Sequence, residues 1–278
     1  MDLGIFSPEI CAKNIPELFE KAKNYGLTQM QFDFLSICDE EMPAVITEDQ
    51  LNEISNCAKE TGIKIVAING TFNMAHPDRE VRLLGVERFE LITKASKKLS
   101  CGLVTICTGS RNTESMWTPH PQNDSKEAWD DMAETMRALL SIAERYDLLL
   151  GMETEASNII DTPQKAVKII QEMESKRLRI IMDCANLFRA GMAKKENVKP
   201  VISEAFELMG EYVTLAHAKD IMEGEGFEFY GAGKGIVDFA FFYCELKKVG
   251  YKGGMILHGT REESQIPESV SFLKSVLV

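Results

Sequence analysis

DLLLGMETEASNIIDTPQKAVKIIQEMESKRLRIIMDCANLF, residues 147–188, reads as one strand–helix–strand unit. Leu148–Glu153 is a short apolar run closed by an acid. Pro163–Met173 spaces its apolar residues as one face of a helix, and Asp161, Thr162 and Pro163 before it form a helix start. Arg179–Asp183 is a second apolar run, again closed by an acid. Both runs are too uniformly apolar for strands with one face in water. They suit parallel strands covered on both sides.

The same alternation extends in both directions. Further strands are expected at Asp2–Phe6, Thr28–Phe34, Lys64–Asn69, Leu103–Thr108, Tyr212–His217 and Met255–His258. Amphipathic helices are expected at Ile15–Tyr25, Glu48–Glu60, Arg79–Leu99, Lys126–Tyr146, Pro200–Met209, Asp238–Val249 and Pro267–Leu277. Thr47 followed by Gln50 has capping-box spacing. Gly26, Gly62, Gly102 and Gly250 stand where a helix C-terminal glycine belongs. Eight βα units joined by right-handed crossovers close into an α/β (β/α)8 TIM barrel, here expected as a single domain over 1–278. An open doubly wound sheet would need a glycine-rich phosphate turn after an early strand, and LGIFSPE at 3–9 has none. The longest strand-to-helix connections, Thr108–Asn123 and Lys219–Gly235, fall on the face where barrels keep substrate contacts.

The 278 residues carry 31 Lys and Arg against 43 Asp and Glu, a formal charge of −12. That balance disfavours a nucleic-acid partner. Seven scattered cysteines without a C-x-x-C pair read as reduced thiols. MDLGIFSPEI has no basic segment followed by an apolar one, and no apolar run reaches 18 residues. A cytoplasmic protein without membrane association is the expectation.

Four of the strands end in metal-type side chains: Glu153, Asp183, His217 and His258, at intervals of 30, 34 and 41 residues. Each interval fits one strand plus one helix, so in a barrel all four emerge at one rim. Taken singly, Glu153 is as readily an exposed strand-end acid, Asp183 an N-cap, and either histidine a satisfied core group. Two carboxylates and two imidazoles converging make a divalent-metal site, with Mn, Co, Zn or Mg as candidate ions. Glu155 alternates with Glu153, and Lys219 with His217. Asn73, His76, Arg111, Trp117, His120 and Asn123 lie in the loops after strands three and four, placed to meet a polar substrate. Trp117 reads equally as packing and Arg111 equally as surface. GAGKG at 231–235 lacks the P-loop pattern and reads as a turn.

GTFNMAHPD, ICTGSRN, MWTPHPQN, GMETEA, MDCANLF, LAHAKD and GAGKGIVDF together resemble the xylose isomerase-like sugar phosphate isomerase/epimerase superfamily of TIM barrels over nearly the whole chain. The resemblance implies metal ligands at Glu153, Asp183 and His217. The fourth position of that pattern is a Glu and is His258 here. Glu153 and His258 occupy the two catalytic positions. The resemblance places Asn186, where the family often has His, at a hydrogen bond to substrate. Imidazole keeps the site competent for a metal. It is a poor second base once coordinated, which favours one-base aldose–ketose transfer or an elimination over two-base epimerisation.

The expected function is a divalent-metal-dependent isomerase or epimerase of a sugar, sugar phosphate or keto-polyol, working through an enediolate with Glu153 as base. A dehydratase of a keto-polyol on the same site is the alternative, and a non-catalytic carbohydrate-binding barrel a further one. A multi-zinc DNA-repair nuclease shares the fold but needs more than four histidines and a basic face. The expected partner is a small carbohydrate. Self-association into a homo-oligomer is compatible with such a barrel.

Overall fold

The computed structural model describes residues 1–38 and 40–277. Eight parallel strands close on themselves: β1 (Leu3–Phe6), β2 (Gln29–Phe32), β3 (Lys64–Asn69), β4 (Leu103–Ile106), β5 (Leu149–Glu153), β6 (Leu178–Asp183), β7 (Val213–Ile221) and β9 (Met255–Leu257). β6 pairs with β7 and β9 with β1, which leaves the barrel no open edge. The helices α1 (Ile15–Asn24), α2 (Glu48–Thr61), α3 (Arg79–Lys98), α4 (Lys126–Tyr146), α5 (Pro163–Met173), α6 (Val198–Met209), α7 (Phe239–Lys248) and α8 (Ile266–Val276) follow the barrel strands in turn.

Local chemistry sets the helix ends. The Thr47–Gln50 capping box is formed reciprocally, and Thr162 accepts the Lys165 N–H at the start of α5. Gly62 ends α2 with φ +75°, a conformation that costs a glycine nothing. The expectation for Gly102 is corrected. The left-handed residue between α3 and β4 is Ser100, at φ 56°. The chain therefore reverses two residues earlier, and Gly102 follows in an ordinary conformation.

A second correction concerns the segment 219–235, expected as loop. β7 continues to Ile221, and Phe229–Gly231 returns antiparallel to it as β8, with Lys219 opposite Gly231. Asp220 holds this hairpin. Its carboxylate accepts the backbone N–H groups of Gly233, Gly235 and Val237 at 2.8–3.0 Å. Sequence periodicity could not report it, because GEGFEFYG is short and follows a strand already counted.

Two distinct apolar clusters result. The larger lies between strands and helices. A smaller one fills the barrel with Ala67, Leu103, Ile181, Leu215 and Ile256. By alternation, the next inward positions toward the strand C-termini on β3, β4, β6, β7 and β9 are Asn69, Thr105, Asp183, His217 and His258. The barrel interior thus changes from apolar to polar within one strand pitch. Gly151 gives room for this change: a Cβ there would lie 2.9 Å from Ile181 Cγ1.

A candidate metal centre in a two-part cleft

The pairing of β6 with β7 sets Asp183 directly beside His217, and β5 and β9 bring Glu153 and His258 to the same rim. One ligand atom from each of the four lies within 4.8 Å of all the others. His217 Nδ1 is 3.3 Å from Asp183 Oδ2 and 3.6 Å from Glu153 Oε2, and His258 Nδ1 is 3.6 Å from Asp183 Oδ2. These gaps are long for charge-assisted hydrogen bonds. Ligands about 2.1 Å from a shared ion stand roughly 3 to 3.4 Å apart, so the spacing fits a cation between the groups. His258 Nδ1 is buried without a hydrogen-bond partner, as a nitrogen aimed at an ion would be.

The neighbours orient the group. His217 Nε2 lies 2.7 Å from Gln31 Oε1, while Gln31 Nε2 donates to Thr105 Oγ1 at 3.2 Å. This network assigns the His217 proton to Nε2 and leaves Nδ1 facing the carboxylates. Asp183 Oδ1 accepts the N–H groups of Ala185 and Asn186, which frees Oδ2 for the cluster. Asn186 Nδ2 donates to Glu153 Oε1 at 2.5 Å and its Oδ1 accepts from Lys219 Nζ at 2.6 Å. Glu153 is thereby held with Oε2 toward His217.

Electrostatics follow from burial and proximity. Burial alone would raise the Asp183 pKa, but the Lys219 ammonium and the two neighbouring imidazoles hold it well below the usual carboxylate range. Burial opposes charge on His217, yet the Glu153 and Asp183 carboxylates outweigh it and lift the pKa to about 9. A proton and any cation held there would compete for the same place. Lys219 is 5% exposed, and the carboxylates of Asp183, Glu155 and Glu153 overcome its burial and keep it charged. Burial raises the Glu155 pKa, partly offset by Lys219.

The group lies at the foot of a cleft with two continuous parts. An inner chamber of about 90 Å³ is lined by Gln31, Asn69, Thr105 and Glu41 besides members of the group. An outer part of about 450 Å³ is lined by Trp117, Glu155, Lys219, Phe227 and Phe229. Cys107, Trp117, Glu153 and His258 line both.

Of the expected substrate contacts, Trp117, Glu155 and Lys219 line this cleft, and Asn186 touches it through Glu153 and Lys219. The other five are engaged elsewhere. Asn73 accepts from Ser110 N and donates to the Asn112 carbonyl. His76 accepts the Asp78 N–H ahead of α3, and His120 accepts the Gln122 N–H. Arg111 is buried against Asp131 on α4 at 2.6 Å. Asn123 accepts from Arg111 N and donates to the Ser157 carbonyl. They build the loops rather than line the cleft. Lys234 pairs with Glu268. Sequence reasoning missed Gln31, Asn69 and Thr105. Their signal is a polar residue at an inward position of an apolar strand, as in QMQF, where both Gln residues are buried. It also missed Glu41, Phe227 and Phe229, which arrive from loop and hairpin.

Solved structures of like shape include a D-tagatose 3-epimerase-like protein, with TM-score 0.79 and 18% identity over 100% of this chain and 97% of that one. Another is the apo form of the 3-keto-D-glucoside 4-epimerase YcjR from E. coli, with TM-score 0.75 and 19% identity over 99% of each chain. A third is the IOLI protein with a binding zinc atom, with TM-score 0.71 and 16% identity over 99% and 96%. No curated protein sequence matches this chain. Among the described residues no helix is long and apolar enough to cross a membrane. At such identities these likenesses speak for the fold. The family profile described as xylose isomerase-like TIM barrel goes further: it matches residues 19–276, and with the closed barrel in hand the chain belongs to that family.

Proposed function

We propose that this chain is a divalent-metal-dependent isomerase or epimerase of a sugar or keto-polyol, with Glu153, Asp183, His217 and His258 as the ligands. The observation that carries the reading is the convergence of these four side chains within 4.8 Å at the foot of a cleft. A divalent ion held by these four residues would supply Lewis acidity to a substrate carbonyl. Glu153 takes the proton from the adjacent carbon, and Asn186 fixes which of its oxygens faces the chamber. Lys219, charged and buried beside it, balances negative charge that develops on the substrate. Among the described residues, Glu41 is the one carboxyl group lining the inner chamber besides Glu153, and it is the candidate acid for a departing hydroxyl in an elimination. His258, committed to the group, leaves the fourth position without a free carboxylate. That favours one-base transfer, or elimination to a dehydrated product, over exchange between two carboxylates on the barrel rim.

The test is solvent exchange. The metal-loaded protein is incubated in deuterium oxide with a panel of ketoses, and label at the carbon beside the carbonyl is followed by mass spectrometry and NMR. Chelation stops the exchange, and Mn, Co or Zn restores it. Exchange that survives both chelation and Glu153→Gln overturns the reading, as does failure of every ketose to exchange.

A further inference from the structure

The outer part of the cleft differs chemically from the inner chamber. Its wall carries three aromatic rings from two separate segments: Trp117 from the β4–α4 loop, and Phe227 and Phe229 from the β7–β8 hairpin. Phe229 has the Lys219 ammonium over its face at 4.1 Å, and Phe227 stacks beside it with centroids 6.2 Å apart and planes 21° apart. Phe229 and then Phe227 lead outward from the buried lysine, and Trp117 lines the same space. Trp117 and Phe227 are 49% and 40% exposed, so both present apolar surface to the cleft. Glu155 and Ser157 supply polar atoms in the same wall.

Charge narrows the occupant. Lys219 is the one Lys or Arg among the described residues lining this part, and its ammonium is taken up by Asn186 at 2.6 Å and Asp183 at 3.7 Å. Glu153 and Glu155 stand beside it. A phosphate ester in this part would meet the Glu153 and Glu155 carboxylates against a single ammonium already paired with Asp183. An uncharged sugar ring suits the wall. Its axial C–H hydrogens meet the negative faces of the aromatic rings, and its hydroxyls find Glu155 and Ser157 at the rim. The inner chamber, about 90 Å³, is too small to hold more than the reacting end of a substrate.

We infer that the outer cleft is a subsite for the uncharged pyranosyl unit of a glycoside, whose other unit reaches the four-residue group with its carbonyl-bearing carbon. The substrate class is then a neutral glycoside, not a free hexose or a sugar phosphate. This rests on the proposed reaction for where the second unit sits. Trp117, Phe227 and Phe229 together are the specificity determinant.

The experiment measures calorimetric affinities of the zinc-loaded protein for fructose and glucose, for sucrose, maltose and cellobiose, and for fructose 6-phosphate. At least one disaccharide should bind about tenfold tighter than either hexose, the scale of one or two aromatic contacts. Phe227→Ala should cut that ratio several-fold, and Trp117→Phe should retain more of it than Trp117→Ala. Circular dichroism confirms that the variants are folded. The inference is overturned if the phosphate ester binds tightest, if no disaccharide exceeds the hexoses, if no sugar binds, or if Phe227→Ala leaves the ratio intact. Deuterium exchange into fructose, run alongside, separates the two ideas. Exchange without a disaccharide preference sinks the subsite alone, and a Phe227-dependent preference with no exchange into any sugar sinks the reaction.

Discussion

The two parts of the cleft are built in opposite ways. The inner group stands on or beside strand ends, and three of its four members are fixed by neighbours that are themselves buried: Gln31 behind His217, the Ala185 and Asn186 amides behind Asp183, and Asn186 behind Glu153. The outer wall stands on a loop and a hairpin, and two of its rings face water. Strand-borne groups are held by the ladder and by both neighbouring strands, so their spacing survives thermal motion. Loop-borne rings can adjust to a ligand. Chemistry that needs sub-ångström placement sits on the first kind of support, and recognition of a variable substrate sits on the second.

The largest effect that tests this contrast is at Glu153. Glu153→Gln should lower solvent exchange by about 10³-fold or more with unchanged circular dichroism, since a general base is worth roughly 10²–10⁴. A loss below tenfold would move the base elsewhere, with Glu41 the next candidate. Gln31→Leu comes second. It is not a metal ligand in this reading, yet it sets the His217 tautomer, so zinc affinity measured by competition with a chelator should fall about 10- to 100-fold. An unchanged affinity would show that the strand-borne group does not depend on its backing.

On the loop side, Asn123→Ala removes hydrogen bonds to Arg111 N and the Ser157 carbonyl, and should cost about 1–3 kcal/mol of stability in denaturant melts. It should raise KM several-fold with little change in kcat, whereas Gln31→Leu, assayed at limiting metal, lowers kcat. Equal effects on both constants would erase the distinction between the two supports.

The smallest effect is a pH dependence at Asp33, which receives the Asn69 amide behind the inner chamber at 2.6 Å. Burial lifts its pKa from 3.8 to about 7 in the folded protein. Between those values the unfolded chain binds fewer protons, so this group's contribution to stability falls as pH rises through that window and is level above it. Asp33→Asn should remove that fall. The melting temperature of the variant relative to the parent should therefore rise between pH 4 and pH 7. A constant difference across that range would mean that Asp33 ionises normally in place.

Much of the strand-borne half was legible in the chain. LLLGME, LRIIMD, YVTLAH and GGMILH each pair a buried apolar run with one polar terminus, and the βα spacing returns those termini to one rim. α4 and α5 begin and end where their apolar period and caps indicated. The loop-borne half was not legible in the same way. Asn73, His76, Arg111, His120 and Asn123 have the residue types of a sugar site, but those types serve equally to cap helices and tie loops together. A side chain in a loop carries no periodicity to say which way it points.

By itself the sequence determined the alternation of strand and helix, the inward phase of each strand, and the four residues at the rim, because a period of two and a polar end to an apolar run are local properties. Tertiary structure alone decided that Gln31 backs His217 across 186 residues, that Asn186 links Glu153 to Lys219, and that Phe227 and Phe229 turn back over the cleft. Those contacts depend on barrel closure and on a hairpin held by Asp220, and closure is a property of all eight strands at once, which no single stretch of chain encodes.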